Sequence, residues 1–195
     1  SIKNKTVLLS RFFFILGMAY ANQWDYERAL NYSLKGLDMT IEAYGELSEQ
    51  TAKVYSDIAS VIYSKKGDDE NAFKFLRTGL QIILKLEVMP YDALSNAYIN
   101  LGRLHRKNHQ YDSALFYLQK ADQLYQKLYP DHQHQITLKI DIAHVYEAQK
   151  LWDDAWYYLK QAEAIYFRQA AKNTESAANL YKHLGNHFNR RYEYE

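Results

Sequence analysis

The sequence predicts an all-α fold, a right-handed superhelical solenoid of antiparallel helix pairs with nine helices. The main observation is a signature that recurs about every 42 residues: an aliphatic residue, then a small residue, then an aromatic ring three positions after the small one. The small residues are Gly17, Ser60, Gly102, Ala143 and Gly185. Such a period indicates stacked repeats that bury their apolar faces against one another. Only two prolines and seven glycines interrupt the 195 residues, which favours long helices.

A second set of small residues follows each signature at fixed distances. Alanine stands twelve positions after the small residue in four repeats, and glycine or alanine stands nineteen positions after it. The alanines are Ala29, Ala72, Ala114 and Ala155, and the later residues are Gly36, Gly79, Ala121 and Ala162. Small side chains at fixed places let two helices approach closely. An acidic residue ten positions on suits the first turn of a second helix, where the helix dipole favours it.

The repeat predicts each element in chain order. Four helix pairs occupy about residues 5–47, 48–89, 90–131 and 132–172, and a single first helix occupies 174–192. The turns within the pairs are predicted at 22–25, 66–68, 108–110 and 149–151. All of 1–195 is interpreted as one solenoid domain. The last helix has no second helix in the sequence, so it is either a terminal cap or part of a longer array. Serine as the first residue favours an excerpt of a longer protein.

These residues resemble the tetratricopeptide repeat family. Its units carry an aliphatic-glycine pair such as Leu16-Gly17, an aromatic residue such as Tyr20 three positions on, and alanines at the spacings found here. The resemblance covers nearly the whole chain. Family repeats have about 34 residues, so these longer repeats are similar to those of kinesin light chains and of related bacterial regulators. The resemblance implies a non-enzymatic protein-protein interaction module whose first helices line a concave groove for a peptide or protein segment.

The repeat positions select the residues expected in that groove. Asparagine amides can hold a peptide backbone, and basic side chains attract acidic groups. The polar part of the groove is expected at Asn96, Asn100, Arg103, Arg106, His144, Asn179, Lys182, Asn186 and Arg190. An apolar N-terminal end is expected at Phe14, Met18 and Ile58.

Two other functions stay open at this stage. The chain can be the sensory or regulatory region of a larger signalling protein, in which ligand binding alters an attached kinase, protease or DNA-binding domain. It can also be a self-assembling scaffold that stacks through its terminal helices. Phe12, Phe13 and Phe14 cannot all face one side of a helix, so at least one is expected to be exposed. The N-terminal end is therefore a candidate contact with another domain or a second copy.

Composition argues against several other classes. The formal net charge is +1, so no overall field draws the chain to nucleic acid or to a membrane. Zero cysteines exclude a thiolate metal site and a cysteine nucleophile. No phosphate-binding loop, nucleophile elbow or dinucleotide motif is present, so we expect no enzyme activity and no cofactor. The expected partner is a protein or peptide.

The histidines and the N-terminal apolar run each allow a second interpretation. His105 with His109, and His183 with His187, are four positions apart and could share a metal on one helix face. We favour structural histidines, because His105 occupies the aromatic position of its repeat. The run 6–21 resembles a signal peptide, but it also fits the first helix of the first repeat. We expect a cytoplasmic protein, or a periplasmic or secreted one if the run is a signal.

Overall fold

The computed structural model describes residues 2–63, 66–129, 133–168 and 174–192. Within these residues the chain forms nine helices and no strand, which confirms the all-α prediction. The helices are α1 (Ile2–Asn22), α2 (Tyr26–Tyr44), α3 (Glu49–Asp57, continued by a π-helical stretch Ile58–Tyr63), α4 (Asp69–Leu84), α5 (Tyr91–Lys107), α6 (Tyr111–Leu128), α7 (Gln133–Ala148), α8 (Trp152–Arg168) and α9 (Thr174–Tyr192).

The chain divides into two compact units. The N-terminal unit, residues 1–104, contains α1 to α4 and most of α5. The C-terminal unit, residues 105–195, contains the end of α5 and α6 to α9. The single solenoid domain over 1–195 and its repeat boundaries stay a prediction.

Close approach between paired helices depends on the small residue of the signature. On α1, a Cβ added at Gly17 would lie 2.9 Å from the carbonyl oxygen of Ala29 on α2 and would also clash with the Ser33 hydroxyl. Gly36, on α2, makes the reciprocal contact with α1, since a Cβ at Gly36 would lie 3.2 Å from the Ser10 carbonyl oxygen of α1. Both positions of the first repeat therefore require very small residues.

An aromatic pair closes the same interface near the turn. In the first repeat the rings of Tyr20 and Tyr32 stack with centroids 5.4 Å apart and planes 6° apart. The same positions in the fourth repeat, Tyr146 and Tyr158, stack at 5.5 Å and 18°. In the third repeat, His105 replaces the first aromatic and stacks on Tyr117 at 5.3 Å and 11°. In these three repeats the signature aromatic packs on a ring of the second helix of its own repeat.

The turns between paired helices share one backbone conformation. The residue seven positions after the small residue has a positive φ in four repeats: Trp24 (65°), Gly67 (82°), His109 (57°) and Lys150 (61°). In the first, third and fourth repeats the next backbone N–H donates to the carbonyl of the signature aromatic, as from Asp25 to Tyr20 at 3.0 Å. This bond ends the first helix in the manner of a Schellman motif. In three of these four repeats a residue other than glycine adopts the left-handed conformation in which glycine is usual.

The core of the C-terminal unit is centred on α7. Ile136, Ile140 and Ala143 of α7 pack with Ala155, Leu159 and Ala162 of α8, and with Leu180 and Leu184 of α9. A buried ion pair lies beside this core, where Lys139 Nζ donates to Asp122 Oδ2 at 2.8 Å. Burial, together with nearby Tyr146 and Asp122, raises the pKa of Tyr158 to about 12, so its phenol stays neutral at physiological pH.

The apolar run 6–21 lies within α1, where Gly17 and Ala21 are buried. Across the described residues, no helix combines the length and apolar character that crossing a bilayer requires.

Replacement of two signature glycines by alanine should change stability in opposite directions. Gly17→Ala overpacks the α1–α2 interface, and we expect unfolding free energy to fall by about 1–2 kcal/mol. Gly185→Ala meets no atom within 4 Å, so the better helix propensity of alanine should raise it by up to about 1 kcal/mol. Urea denaturation followed by circular dichroism measures both changes. Equal effects of the two substitutions would contradict this description of the interface.

Candidate peptide-binding surfaces

A cleft of about 350 Å³ opens in the N-terminal unit between α1, α2 and α3. Phe14 and Ile15 of α1 and Val54 of α3 form apolar walls. The C-terminal end of α2 contributes Thr40 and Tyr44. The signature packing positions these walls, because Gly17 and Gly36 set the approach of α1 to α2. The cleft can accept an apolar side chain of a partner.

Charged groups surround this apolar cleft. Arg11 and Lys53 are exposed at its rim, and Asp57 lies half-buried in its lining. Burial raises the pKa of the Asp57 carboxyl, and the nearby Lys53 ammonium partly opposes that shift. The two cations can attract acidic groups that flank an apolar side chain of the partner.

The three residues predicted at the apolar end of the groove have different environments in the structure. Phe14 is half-buried and lines the cleft. Met18 is half-buried but does not contribute to the lining. Ile58 is 0% exposed, so its expected place on the groove surface is corrected: it is a core residue. The equivalent residue of the first repeat, Ile15, is 66% exposed, whereas Ile58 lies at the start of the π-helical stretch and is buried. Phe12 is 54% exposed, as the sequence predicts for at least one of the three phenylalanines.

A pair of histidines joins α7 to α9 in the C-terminal unit. His144 Nε2 and His183 Nδ1 lie 2.9 Å apart, and His183 Nε2 lies 3.1 Å from Asn179 Oδ1. Because Asn179 Oδ1 is an acceptor, His183 Nε2 carries the proton and His183 Nδ1 accepts from His144 Nε2–H. Burial lowers the pKa of His183, and Lys182 and Arg190 lower it further, against Glu147 and Asp141. The neutral imidazole is therefore the favoured form.

A second cluster follows one helical turn further along the same helices. His187 Nδ1–H donates to Glu147 Oε1 at 3.0 Å, and Arg190 Nη1 donates to Glu147 Oε2 at 2.7 Å. His187 is buried and stacks on Trp156 with centroids 5.7 Å apart. Glu147 thus neutralises the charge of Arg190, which the sequence assigns to partner binding. The repeat pattern places these residues on one face but gives no signal that they pair with one another.

The remaining predicted polar residues lie on both units. Asn96, Asn100 and Arg103 are on α5 in the N-terminal unit, and Asn100 is half-buried. In the C-terminal unit Arg106 is half-buried, whereas Lys182 and Asn186 are exposed on α9. No group of three or more histidine or acidic side chains in the described ranges is placed to hold a metal ion.

Acidification should weaken the α7–α9 contact. The folded pKa of His183 lies below its unfolded value of about 6.5, so its stabilising contribution is complete above that pH. The contribution is lost as pH falls below about 6.5 and through the lower folded pKa. We expect urea midpoints of the wild-type protein to fall more between about pH 7.5 and 5.5 than those of His183→Gln. His109→Gln, at an exposed turn, is the matched control. Identical pH profiles for wild type and His183→Gln would contradict this assignment.

Residues 16–49 and residues 93–166 match two family profiles that are both described as Tetratricopeptide repeat. No curated protein sequence gives a match. Among solved structures, BtubC (BKLC) from P. vanneervenii superposes with a TM-score of 0.70 and 20% identity over 82% of this chain. The chain spans 64% of the length of BtubC.

Two further solved structures are similar in fold. A Podosopora anserina protein with nearly identical TPR-like repeats, named for the kinesin light chains, gives a TM-score of 0.75 at 16% identity. The match covers 96% of this chain and 89% of that one. The apo form of RapI gives a TM-score of 0.73 at 18% identity, over 94% of this chain and 52% of that one. With the profile matches and the repeated packing of small and aromatic residues, these similarities show that the chain belongs to the tetratricopeptide repeat family.

Proposed function

We propose that this protein-protein interaction module is non-enzymatic and binds an extended peptide segment through the cleft of its N-terminal unit. The tetratricopeptide repeat fold supports a role in protein interaction. The observation that supports the finer proposal is the cleft between α1, α2 and α3, with apolar walls and two cations at its rim. The proposed ligand is a peptide with an apolar side chain next to acidic residues.

The apolar walls would supply most of the affinity. Burial of one leucine or phenylalanine side chain stabilises a complex by about 1.5–3 kcal/mol. Phe14, Ile15 and Val54 offer such a surface without a large rearrangement, because α1 and α3 are held by α2. Arg11 and Lys53 would then fix the direction of the peptide by contact with its acidic residues.

The polar residues predicted on α5 and α9 are a second part of this proposal. Lys182 and Asn186 are exposed and are available to a partner of the C-terminal unit. Arg190 is paired with Glu147, so we assign the attraction of acidic groups there to Lys182. Asn96, Asn100 and Arg103 remain proposed contacts on α5.

Selection from a random displayed peptide library on the immobilised protein tests the proposal. We expect enrichment of peptides with an apolar residue flanked by Asp or Glu. For the best peptide, labelled with fluorescein, Arg11→Glu combined with Lys53→Glu should weaken binding by about tenfold, because two favourable charge contacts become repulsive. Fluorescence anisotropy at constant salt measures the change.

A matched variant controls for net charge. Lys74 and Arg77 are exposed on α4, outside the cleft lining, and Lys74→Glu with Arg77→Glu makes the same charge change. We expect this variant to bind like the wild type. Equal loss in both double variants, or a selection that enriches no peptide, would sink the proposed cleft.

A further inference from the structure

A pocket of about 250 Å³ opens in the C-terminal unit between α6, α7 and α8. It is separate from the cleft of the proposed function, which lies in the N-terminal unit. Most of its lining is polar and includes Gln126 of α6, Gln135 and Lys139 of α7, and Gln161, Ala164 and Arg168 of α8. We call it the glutamine pocket.

One amide of the glutamine pocket is buried without a hydrogen-bond partner. Gln135 is 2% exposed. Its Nε2 is shielded from solvent, and no acceptor in the described part of the chain lies within hydrogen-bond distance. A buried N–H that makes no hydrogen bond is destabilising, and most such groups in proteins are paired. The amide is therefore poised to donate to an acceptor that a ligand brings into the pocket.

Lys139 places a buried cation beside this amide. The two residues are four positions apart on α7, so they share one face of the helix. Lys139 Nζ donates to Asp122 Oδ2 at 2.8 Å, and Gln126 Nε2 donates to the same oxygen at 2.8 Å. Asp122 offsets the cost of burying the ammonium. An ammonium has three N–H donors and the bond to Asp122 uses one, so Lys139 can also donate to a ligand.

The wall that α8 contributes leaves room and adds a second cation. Ala164 is small and exposed, and Arg168, four positions further on the same face, is exposed at the mouth of the pocket. Among the described residues, no carboxylate belongs to the lining. Amide and ammonium donors together with a guanidinium favour the oxygen atoms of a carboxylate.

The equivalent pocket of the N-terminal unit shows what is unusual here. It has about 290 Å³, lies between α2, α3 and α4, and includes Lys85 at the repeat position of Arg168. Its buried polar residue on α3 is Thr51, whose hydroxyl donates to the Gly45 carbonyl oxygen at 2.7 Å. That side chain is satisfied within the protein, whereas Gln135 of the glutamine pocket is not.

We propose that the glutamine pocket binds a carboxylate group. Its oxygens accept hydrogen bonds from Gln135 Nε2 and Lys139 Nζ, and Arg168 attracts its charge at the mouth. Pockets for drug-sized ligands have about 300–1000 Å³, so the smaller glutamine pocket selects a short acid. The carboxylate belongs either to a free dicarboxylate or to a glutamate side chain of a peptide, and two probes distinguish these sources.

Titration of the full chain with glutarate, followed by ¹H–¹⁵N NMR, tests the proposal. The side-chain amide signals of Gln135 are identified by their loss in Gln135→Met. We expect saturable shifts of these signals with a Kd of about 1 mM or lower, and none with glutaramide, which has the same length but no charge. The second probe is a glutamate residue between two glycines, with both ends blocked. Binding of glutarate alone supports a free acid as the ligand, and tighter binding of the peptide supports a glutamate side chain.

Gln135→Met separates ligand binding from stability. Because the buried N–H has no partner in the protein, a methionine of similar size should leave the urea midpoint unchanged or raise it. The same substitution should weaken glutarate binding by at least about tenfold. A fall in the urea midpoint would overturn the proposal, because it would show that the amide already has a structural partner.

Arg168→Glu should also weaken glutarate binding, by about tenfold. Lys85→Glu is its matched control, since it makes the same charge change at the equivalent position of α4 and should change the affinity less than about twofold. Equal loss in both variants, equal binding of glutarate and glutaramide, or no saturable shift with either carboxylate probe would overturn the proposal.

Discussion

The close approach of the two helices within each repeat is the constraint on which the rest of the structure depends. Gly17 leaves no room for a Cβ beside Ala29 and Ser33. The stacked rings of Tyr20 and Tyr32 fill the wider part of the same interface. Because packing between the paired helices of the first repeat depends on a few small residues and one ring pair, the exposed positions beside them are less constrained. Different binding surfaces can therefore be built on the same repeated type of core.

The two units use their first helices differently. In the N-terminal unit, α1 and α3 leave an apolar cleft with Arg11 and Lys53 at its rim. In the C-terminal unit, α7 and α9 are joined by His144–His183 and Glu147–Arg190. The polar residues between α7 and α9 hold these two helices together. They therefore have fewer hydrogen bonds and charges available for a partner. The proposed apolar contact with a peptide therefore lies in the N-terminal unit.

The sequence predicts the fold well because its information is periodic. Signature spacing correctly places the helices, the four turns and the buried character of His105. It does not predict the positive φ of Trp24, His109 and Lys150, because these residues lack the usual glycine signal. Site residues are harder to predict, because exposure depends on details of helix rotation: Ile58 is buried although its repeat position predicts a place in the groove. Ion pairs between helices, such as Glu147 with Arg190, depend on how far one helix is shifted and rotated against the other. The sequence period alone does not predict this.

The central claim is that the signature stabilises a first helix only when a second helix covers it. Native-state hydrogen exchange, read by mass spectrometry on the full chain, compares α7 with α9, which carry the same signature. On α7, Ala143 and Tyr146 pack on α8, whereas Gly185 of α9 is exposed and a Cβ added there meets nothing within 4 Å. We predict that backbone amides of α9 exchange at least about tenfold faster than those of α7. Equal protection of the two helices would contradict the claim.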